Sequence, residues 1–287
     1  MREYVIFTDS SCDLPKDLVE KWGVQVLSLE VNIDGVGTFL NHEIDPEKFY
    51  GYLRDKRPVK TSAANMERFS EAFESVVNEG KDILYIGFST GLSATYMAGK
   101  NAADEIMEKY PEAKVLTVDS LCAALGQGLL VKYAVDKKNE GATIEELKAY
   151  VEDLLLHLAH WFTVEDLFFL KRGGRVSAAT AVLGTALQIK PVMHVDNAGK
   201  LINMHKVRGR EASIKALLEK MKETAIDPEK QTVYICHGDC YDDAKKLADM
   251  ITAEFGITDI LIDYVGPVIG AHSGPGTLAL FFIAKER

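Results

Sequence analysis

DILYIGFSTGLSATY, residues 82–96, joins a short apolar run to a turn rich in glycine and hydroxyl groups and then to a helix-forming stretch. The run 83–88 has the length and composition of a buried strand, and a helix is predicted from Ser93 to about Tyr110. A second apolar run, 114–119, follows this helix. The order strand, helix, strand predicts a βαβ unit and therefore a parallel sheet.

The same alternation continues over the first half of the chain. We predict strands at 4–8 and 24–33 and helices at 15–22, from Asp45, at 65–79, at 121–139 and at 143–160. Thr143 and Glu146 have the spacing of a capping box, which fixes the start of the last of these helices.

After Trp161 the pattern changes. We predict an extended segment at 162–170, a small-residue helix at 178–187, and a hairpin whose turn is 197–199. Helices and strands then alternate to the end of the chain. The sequence therefore predicts an α/β fold of two domains, 1–160 with a mainly parallel sheet flanked by helices and 161–287 with a mixed, partly antiparallel sheet.

Charge and composition exclude some classes of function. The 287 residues carry a net charge of -10, which disfavours binding of nucleic acid through counterion release. The segment from Lys171 to Arg210 is nevertheless basic, with eight basic residues and one acid. It could bind a phosphate-bearing ligand or an acidic partner, or be only a solvated surface. We expect a cytoplasmic protein without stable membrane anchoring, because the sequence shows neither a long apolar run nor a signal-peptide pattern.

Residues 87–91, GFSTG, match the G-x-S-x-G pattern. Ser89 could be the nucleophile of a serine hydrolase of acyl esters, with His272 as base and Asp259 or Asp263 as the orienting acid. No HGG-type oxyanion-hole sequence precedes the serine, which weakens this interpretation. The alternative is that the turn contributes amides and hydroxyls that hold an anion at a helix N-terminus.

Other candidate sites are weaker. The chain has no phosphate-loop or G-x-G-x-x-G motif after a strand, and Gly126-Gln127-Gly128 is interpreted as a close-packing segment inside a helix. Residues 236–240, CHGDC, are interpreted as a turn with a buried thiol, so no metal site is predicted. The four cysteines are expected to be reduced thiols.

Several predicted strands end in turns rich in hydroxyl groups, at 8–11, 60–62, 89–93 and 119–120. Such turns meet at the carboxyl edge of a parallel sheet, where they could hold a carboxylate or phosphate. Residues 266–277 are too rich in glycine for a predicted regular element, and His272 within them is a candidate ligand donor or base.

A set of ordered motifs over nearly the whole chain resembles the DegV family of bacterial fatty-acid-binding proteins. The motifs are FTDSSCDLP at 7–15, KTS at 60–62, STGLSATY at 89–96, KRGGRVS at 171–177, IKP at 189–191 and HSGPGT at 272–277. The resemblance implies that one long-chain fatty acid lies between the two domains. It also implies that a separate fatty acid kinase, and not this chain, phosphorylates the carboxylate with ATP, and that no cofactor other than the fatty acid is bound.

The resemblance further implies that Thr61, Ser93 and His272 hold the carboxylate. A possible secondary pocket contains Ser62, Ser89 and Ser120. We hypothesise that Arg172, Arg175 and Arg208 face the kinase or the phosphate, and that Phe168, Leu183, Leu187 and Phe281 shape the tail pocket. The chain departs from the usual family motifs at Ala63-Ala64-Asn65 and at Ala94, which affects the expected fine geometry of the pocket.

Overall fold

The computed structural model describes residues 2–177 and 188–287. The strands are β1 Tyr4–Asp9, β2 Gln25–Leu27, β3 Glu30–Ile33, β4 Gly37–Leu40, β5 Val59–Ser62, β6 Asp82–Gly87, β7 Val115–Asp119, β8 Leu158–Thr163, β9 Ile189–Val195, β10 Leu201–Arg208, β11 Val233–His237, β12 Ile260–Tyr264 and β13 Leu278–Ile283. The α-helices are α1 Lys16–Trp22, α2 Pro46–Arg54, α3 Met66–Asn78, α4 Thr95–Lys109, α5 Ala124–Asn139, α6 Ile144–Leu154, α7 Leu167–Arg172, α8 Arg210–Thr224, α9 Tyr241–Phe255 and α10 Pro267–Ser273. Short 3-10 turns occupy Ser10–Cys12 and Pro228–Lys230.

Two main sheets are stacked with helices between and outside them. The N-terminal sheet has the order β2-β1-β6-β7 and is parallel throughout. The C-terminal sheet has the order β10-β9-β8-β13-β11-β12, in which only the β11 and β12 pair is parallel. Both sheet types were predicted from the sequence and are confirmed. The boundary between the domains at residue 160, which falls inside β8, stays a prediction.

Helix α5 is buried between the two sheets and belongs to the same core as both. Helices with apolar residues around most of their circumference are found in such central positions. Helices α3 and α4 cover the outer face of the parallel sheet, and α8 and α9 cover the outer face of the mixed sheet. The result is a layered α/β molecule, with no helix long and apolar enough to cross a bilayer in the described ranges.

Local sequence signals place several helix starts correctly. The side chains of Asp45 and Asn65 cap α2 and α3, and Thr143 forms the predicted capping box with Glu146. Each of these side chains accepts a hydrogen bond from a backbone N–H group that lacks a partner within the helix. The predicted turn at 197–199 joins β9 to β10, with the N–H of Gly199 donating to the carbonyl of Asp196 at 2.9 Å.

The fold differs from the sequence prediction in several places. The helix predicted at 143–160 ends at Leu154, and residues 158–160 belong to strand β8. Residues 167–172 form helix α7 and are not extended, because the Asp166 side chain caps the backbone N–H of Phe168. Residues 267–273 form helix α10 within the glycine-rich stretch 266–277. Pro267 suits the first turn, and a Cβ at Gly270 would lie 2.6 Å from the Tyr50 hydroxyl, so glycine allows close packing.

A further difference is an additional antiparallel sheet, β4-β3-β5, which carries Thr61. Its strands are only four residues long, too short for their alternation to identify them. The predicted helix 178–187, with Leu183 and Leu187, lies outside the described residues.

Candidate functional site

A cavity of about 330 Å³ lies between the mixed sheet, the small sheet and the carboxyl edge of the parallel sheet. Its polar end contains Thr61, Ser62, Ser93, Arg175, His272, Ser273 and Thr277. The rest is mainly apolar and is formed by Leu29, Ala63, Phe88, Leu92, Ala94, Ala123, Ala124, His160, Phe162, Leu170, Val195, Leu201, Cys236, Val265, Val268, Ile269, Ala279 and Phe281. Its volume is in the range of small-molecule sites, which also combine apolar walls with a few polar groups.

Thr61 and His272 form the centre of the polar end. Thr61 Oγ1 lies 2.8 Å from His272 Nε2, although the two residues are 211 positions apart in the sequence. Burial, with smaller contributions from the positive charges of Arg175 and Arg172, lowers the pKa of His272 from 6.5 to about 4. The imidazole is therefore neutral at pH 7, and Nε2 can either donate to a ligand or accept from Thr61.

Ser93 lines the cavity just before helix α4. Its hydroxyl lies 2.9 Å from Thr95 Oγ1 and accepts a 3.2 Å hydrogen bond from the Thr95 amide. The turn that carries it is fixed because the Ser93 N–H donates to Ser89 O at 3.1 Å, and because the Phe88 N–H donates to Asp9 Oδ2 at 2.9 Å. The Ser93 hydroxyl is thus held at a defined position on the cavity wall.

The three arginines expected to face the kinase or the phosphate differ in their position and exposure. Arg175 is half-buried in the cavity lining, where its Nε donates to Leu92 O at 3.2 Å. Arg172 is exposed, with its guanidinium 4.7 Å from the centre of the Phe169 ring. Arg208 is exposed at the end of the edge strand β10 and is not part of the cavity lining.

The basic segment is partly neutralised by ion pairs with residues outside it. Lys190 pairs with Glu165, and Arg210 pairs with Asp243 at 2.8 Å. Arg175, in contrast, donates to two backbone carbonyls within the described ranges, those of Leu92 and Gly173. A positive charge held by neutral partners beside a cavity favours an anionic ligand.

The serines of the possible secondary pocket are also separated. Ser62 lines the cavity and is exposed. Ser89 is 0% exposed and donates its hydroxyl hydrogen to Gly199 O at 2.8 Å, which ties its turn to the β9–β10 hairpin. The buried Ser120 hydroxyl accepts from the Cys122 amide at 3.0 Å. Neither Ser89 nor Ser120 belongs to the cavity lining.

This arrangement does not assemble the proposed hydrolase triad. The Ser89 hydroxyl is bonded to a backbone carbonyl, and His272 Nε2 is bonded to Thr61. Asp259 accepts from Thr232, and Asp263 accepts from the Tyr264 amide at 2.7 Å. A catalytic serine requires contact with its base, so the geometry gives no support to hydrolysis by Ser89.

The cysteine-containing turn at 236–240 is tied together internally. The Cys240 amide donates to His237 Nδ1 at 3.3 Å, and the Cys240 thiol donates to Thr277 O at 3.3 Å. All four cysteines are free thiols, and Cys12, Cys122 and Cys236 are buried. Outside 178–187, the chain contains no cluster of three or more histidine, cysteine or acidic side chains able to hold a metal ion.

Of the residues expected to shape the tail pocket, Phe281 lines the cavity and Phe168 does not. Phe168 is 45% exposed and lies outside the lining, whereas Leu170 of the same helix lines the cavity. The prediction treated 162–170 as extended, so it could not identify which side of helix α7 faces inward. Phe162 and His160 also line the cavity and were not identified from the sequence. Residues two apart share a face only in a strand, and the sequence prediction placed residue 160 at the end of a helix.

Comparison with known proteins agrees with this fold. The family model described as "Uncharacterised protein, DegV family" matches residues 3–285. A DegV domain-containing protein of Clostridium perfringens is 45% identical over 100% of this chain and 99% of its own length.

Two solved structures are similar over nearly the whole chain. A Thermus thermophilus DegV family protein, described as binding fatty acid, is 29% identical with a TM-score of 0.87, covering 99% of this chain and 100% of its own. Bacillus subtilis DegV, described as a fatty acid binding protein, is 26% identical with a TM-score of 0.86 and the same coverage. From the family match and these relatives, the chain belongs to the DegV family.

Proposed function

We propose that this protein binds one long-chain fatty acid in the cavity and presents its carboxylate to a separate, ATP-dependent fatty acid kinase. The observation that carries the proposal is the Thr61 and His272 pair at the polar end of an otherwise apolar cavity. The fatty acids bound by the related solved structures support the same ligand class.

The carboxylate is held by the hydroxyls of Thr61 and Ser93 and by the imidazole of His272. Burial of a carboxylate without partners would be unfavourable, and hydrogen bonds to a charged group contribute about 1.5–3 kcal/mol each. The positive charge of Arg175, which lies on the same cavity wall, stabilises the anion further. Each methylene of the tail that is removed from water contributes roughly 0.8 kcal/mol, so the tail supplies most of the affinity.

The geometry of the opening supports presentation to a partner enzyme. The exposed residues of the cavity lining include Ser62, Ala63 and Ala94, which lie beside Thr61 and Ser93. A carboxylate held there is therefore near the surface while the tail is enclosed. The positive charges of Arg172 and Arg175 lower the pKa of His272, so both arginines lie near the carboxylate end of the cavity. They would contact the kinase or the transferred phosphate, with Arg208 as a more distant contributor.

Native mass spectrometry of the purified protein tests fatty acid binding. We expect one co-purified fatty acid per chain. Thr61→Ala should weaken binding by at least tenfold, because it removes one hydrogen bond to the carboxylate. Thr38→Ala on β4, an exposed threonine of the same small sheet, is the matched control and should bind like the original protein. Empty protein that labels at Ser89 with a fluorophosphonate would instead establish a hydrolase.

Kinase coupling needs a separate assay, in which acyl phosphate is measured with a bacterial fatty acid kinase and ATP. Arg172→Glu should reduce acyl phosphate formation while the bound fatty acid remains. If charge reversal at Arg172 and at Arg175 leaves both fatty acid binding and acyl phosphate formation unchanged, these arginines have no role in coupling.

A further inference from the structure

The tail cavity follows strand β13. Thr277, Ala279 and Phe281 alternate along the chain and all line the cavity, as expected for one face of a strand. Thr277 lies near the polar end, where its hydroxyl donates to Gly274 O at 2.8 Å. The four steps from Thr277 to Phe281 along the strand span roughly 14 Å at about 3.4 Å per residue. An extended chain covers about 1.2 Å per bond, so a tail starting beside Thr277 reaches Phe281 after about a dozen carbon atoms.

Phe281 and His160 form the inner end of this path. They are directly paired between β13 and β8, and their ring centres are 5.1 Å apart with an interplanar angle of 82°. Phe281 is 3% exposed and His160 is 1% exposed, in contrast to the exposed residues beside Thr61. His160 Nδ1 lies 3.0 Å from Leu158 O, which can only accept, so Nδ1 carries the proton and the orientation of the ring is fixed.

Gly126 of helix α5 lies directly behind both rings. A Cβ at this position would overlap His160 Nε2 and would lie 2.7 Å from Phe281 Cδ1. Glycine inside a helix is less favourable than alanine, so its presence here needs a packing reason. That reason is the space that the two rings occupy, because a methyl group at position 126 would push them towards the cavity.

We propose that Gly126, acting through His160 and Phe281, sets the length of acyl chain that the cavity accepts. The inference rests on the proposed function, since it assigns a chain-length limit to the same site. Gly126 is a positioning residue, while Phe281 and His160 contact the tail end. The sequence alone shows Gly126 only as a close-packing residue and does not show what it packs against.

The test is a competition among saturated fatty acids of increasing even chain length, with the bound population read by native mass spectrometry. Gly126→Ala should shift the maximum of the population towards shorter chains, since restoring ordinary contact between the new Cβ and the Phe281 ring moves the ring by about 1 Å, close to one bond projection. Phe281→Ala should shift the maximum to longer chains. Ala279→Leu, which adds atoms midway along the same face, should shift it to shorter chains and keeps the test decisive if Gly126→Ala does not fold.

Gly128→Ala is the matched control. It is the same substitution in the same helix, and its Cβ would be crowded comparably, 2.8 Å from Cys12 O and 2.9 Å from Leu14 Cδ2, neither of which belongs to the cavity lining. This variant should lower the melting temperature without changing the chain-length profile.

Unshifted profiles for the folded cavity variants would overturn the inference and leave fatty acid binding intact. A shift in Gly128→Ala equal to that in Gly126→Ala would also overturn it. If the unmodified protein bound no fatty acid of any length, the proposed function itself would fail.

Discussion

Replacing His272 with glutamine tests the electrostatic surroundings of the proposed carboxylate site. In the folded protein, burial and the nearby arginines lower the pKa of His272 from 6.5 to about 4. The unfolded chain therefore binds a proton between pH 6.5 and 4 that the folded protein does not bind. Stability contributed by the neutral imidazole is fully present above pH 6.5 and is lost as the pH falls towards 4.

The magnitude follows from the two pKa values. At pH 5 the unfolded chain is stabilised by protonation of His272 by about 2 kcal/mol more than the folded protein, and at pH 7.5 the difference is close to zero. His272→Gln removes this term. The free energy of unfolding of the variant should therefore fall by about 2 kcal/mol less between pH 7.5 and pH 5 than that of the unmodified protein.

Urea denaturation at the two pH values, followed by circular dichroism, measures this difference. Other buried histidines, among them His160 and His237, also have lowered pKa values and contribute to the acid sensitivity of both proteins, so only the difference between the proteins is informative. His205→Gln, which replaces an exposed histidine of β10, controls for the loss of an imidazole as such. Equal losses for His272→Gln and the unmodified protein would refute the assignment of a buried, neutral His272.

Three further changes probe the surroundings of the site. Ser89→Ala should lower the free energy of unfolding by about 1–3 kcal/mol in urea denaturation, because Gly199 O loses its 2.8 Å hydrogen bond. Fatty acid binding should persist, and its loss would contradict a purely structural role for Ser89. Burial raises the pKa of Asp13 well above 3.8, so the free energy of unfolding falls as the pH rises above that value. Asp13→Asn should flatten this pH dependence in denaturation curves. An unchanged dependence of the unfolding free energy on pH would contradict the assignment of a buried, protonated Asp13. Asn65→Ala should cost about 1 kcal/mol of unfolding free energy, because it removes the 3.0 Å hydrogen bond that caps α3, and a neutral effect would show that the cap contributes nothing.

Much of the fold could be predicted because its signals are local. The alternation of apolar runs and helix-forming stretches predicts the parallel sheet, and the capping box at Thr143 gives the start of α6. The prediction failed for α7 and α10, where short helices are specified by a cap at Asp166 and by close packing at Gly270 rather than by periodicity.

The candidate site was only partly accessible from the sequence. The family motifs identified Thr61, Ser93 and His272, and the structure places all three in one cavity lining, although their contact with a carboxylate stays a proposal. The G-x-S-x-G motif made Ser89 a candidate nucleophile. Its hydroxyl is bonded to Gly199, in a hairpin 110 residues away, which no local pattern could indicate.

Local sequence was sufficient to predict the alternation of strands and helices, the caps of α2, α3 and α6, the β9–β10 turn and the motifs of the DegV family, because each depends on residues close together in the chain. The contact of Thr61 with His272, the position of Arg175 in the cavity lining, and the packing of Gly126 against His160 and Phe281 became visible only in the three-dimensional structure. These contacts join residues far apart in sequence. They depend on how the layers of helices and sheets pack, which is determined by the shape and volume of all the buried side chains together.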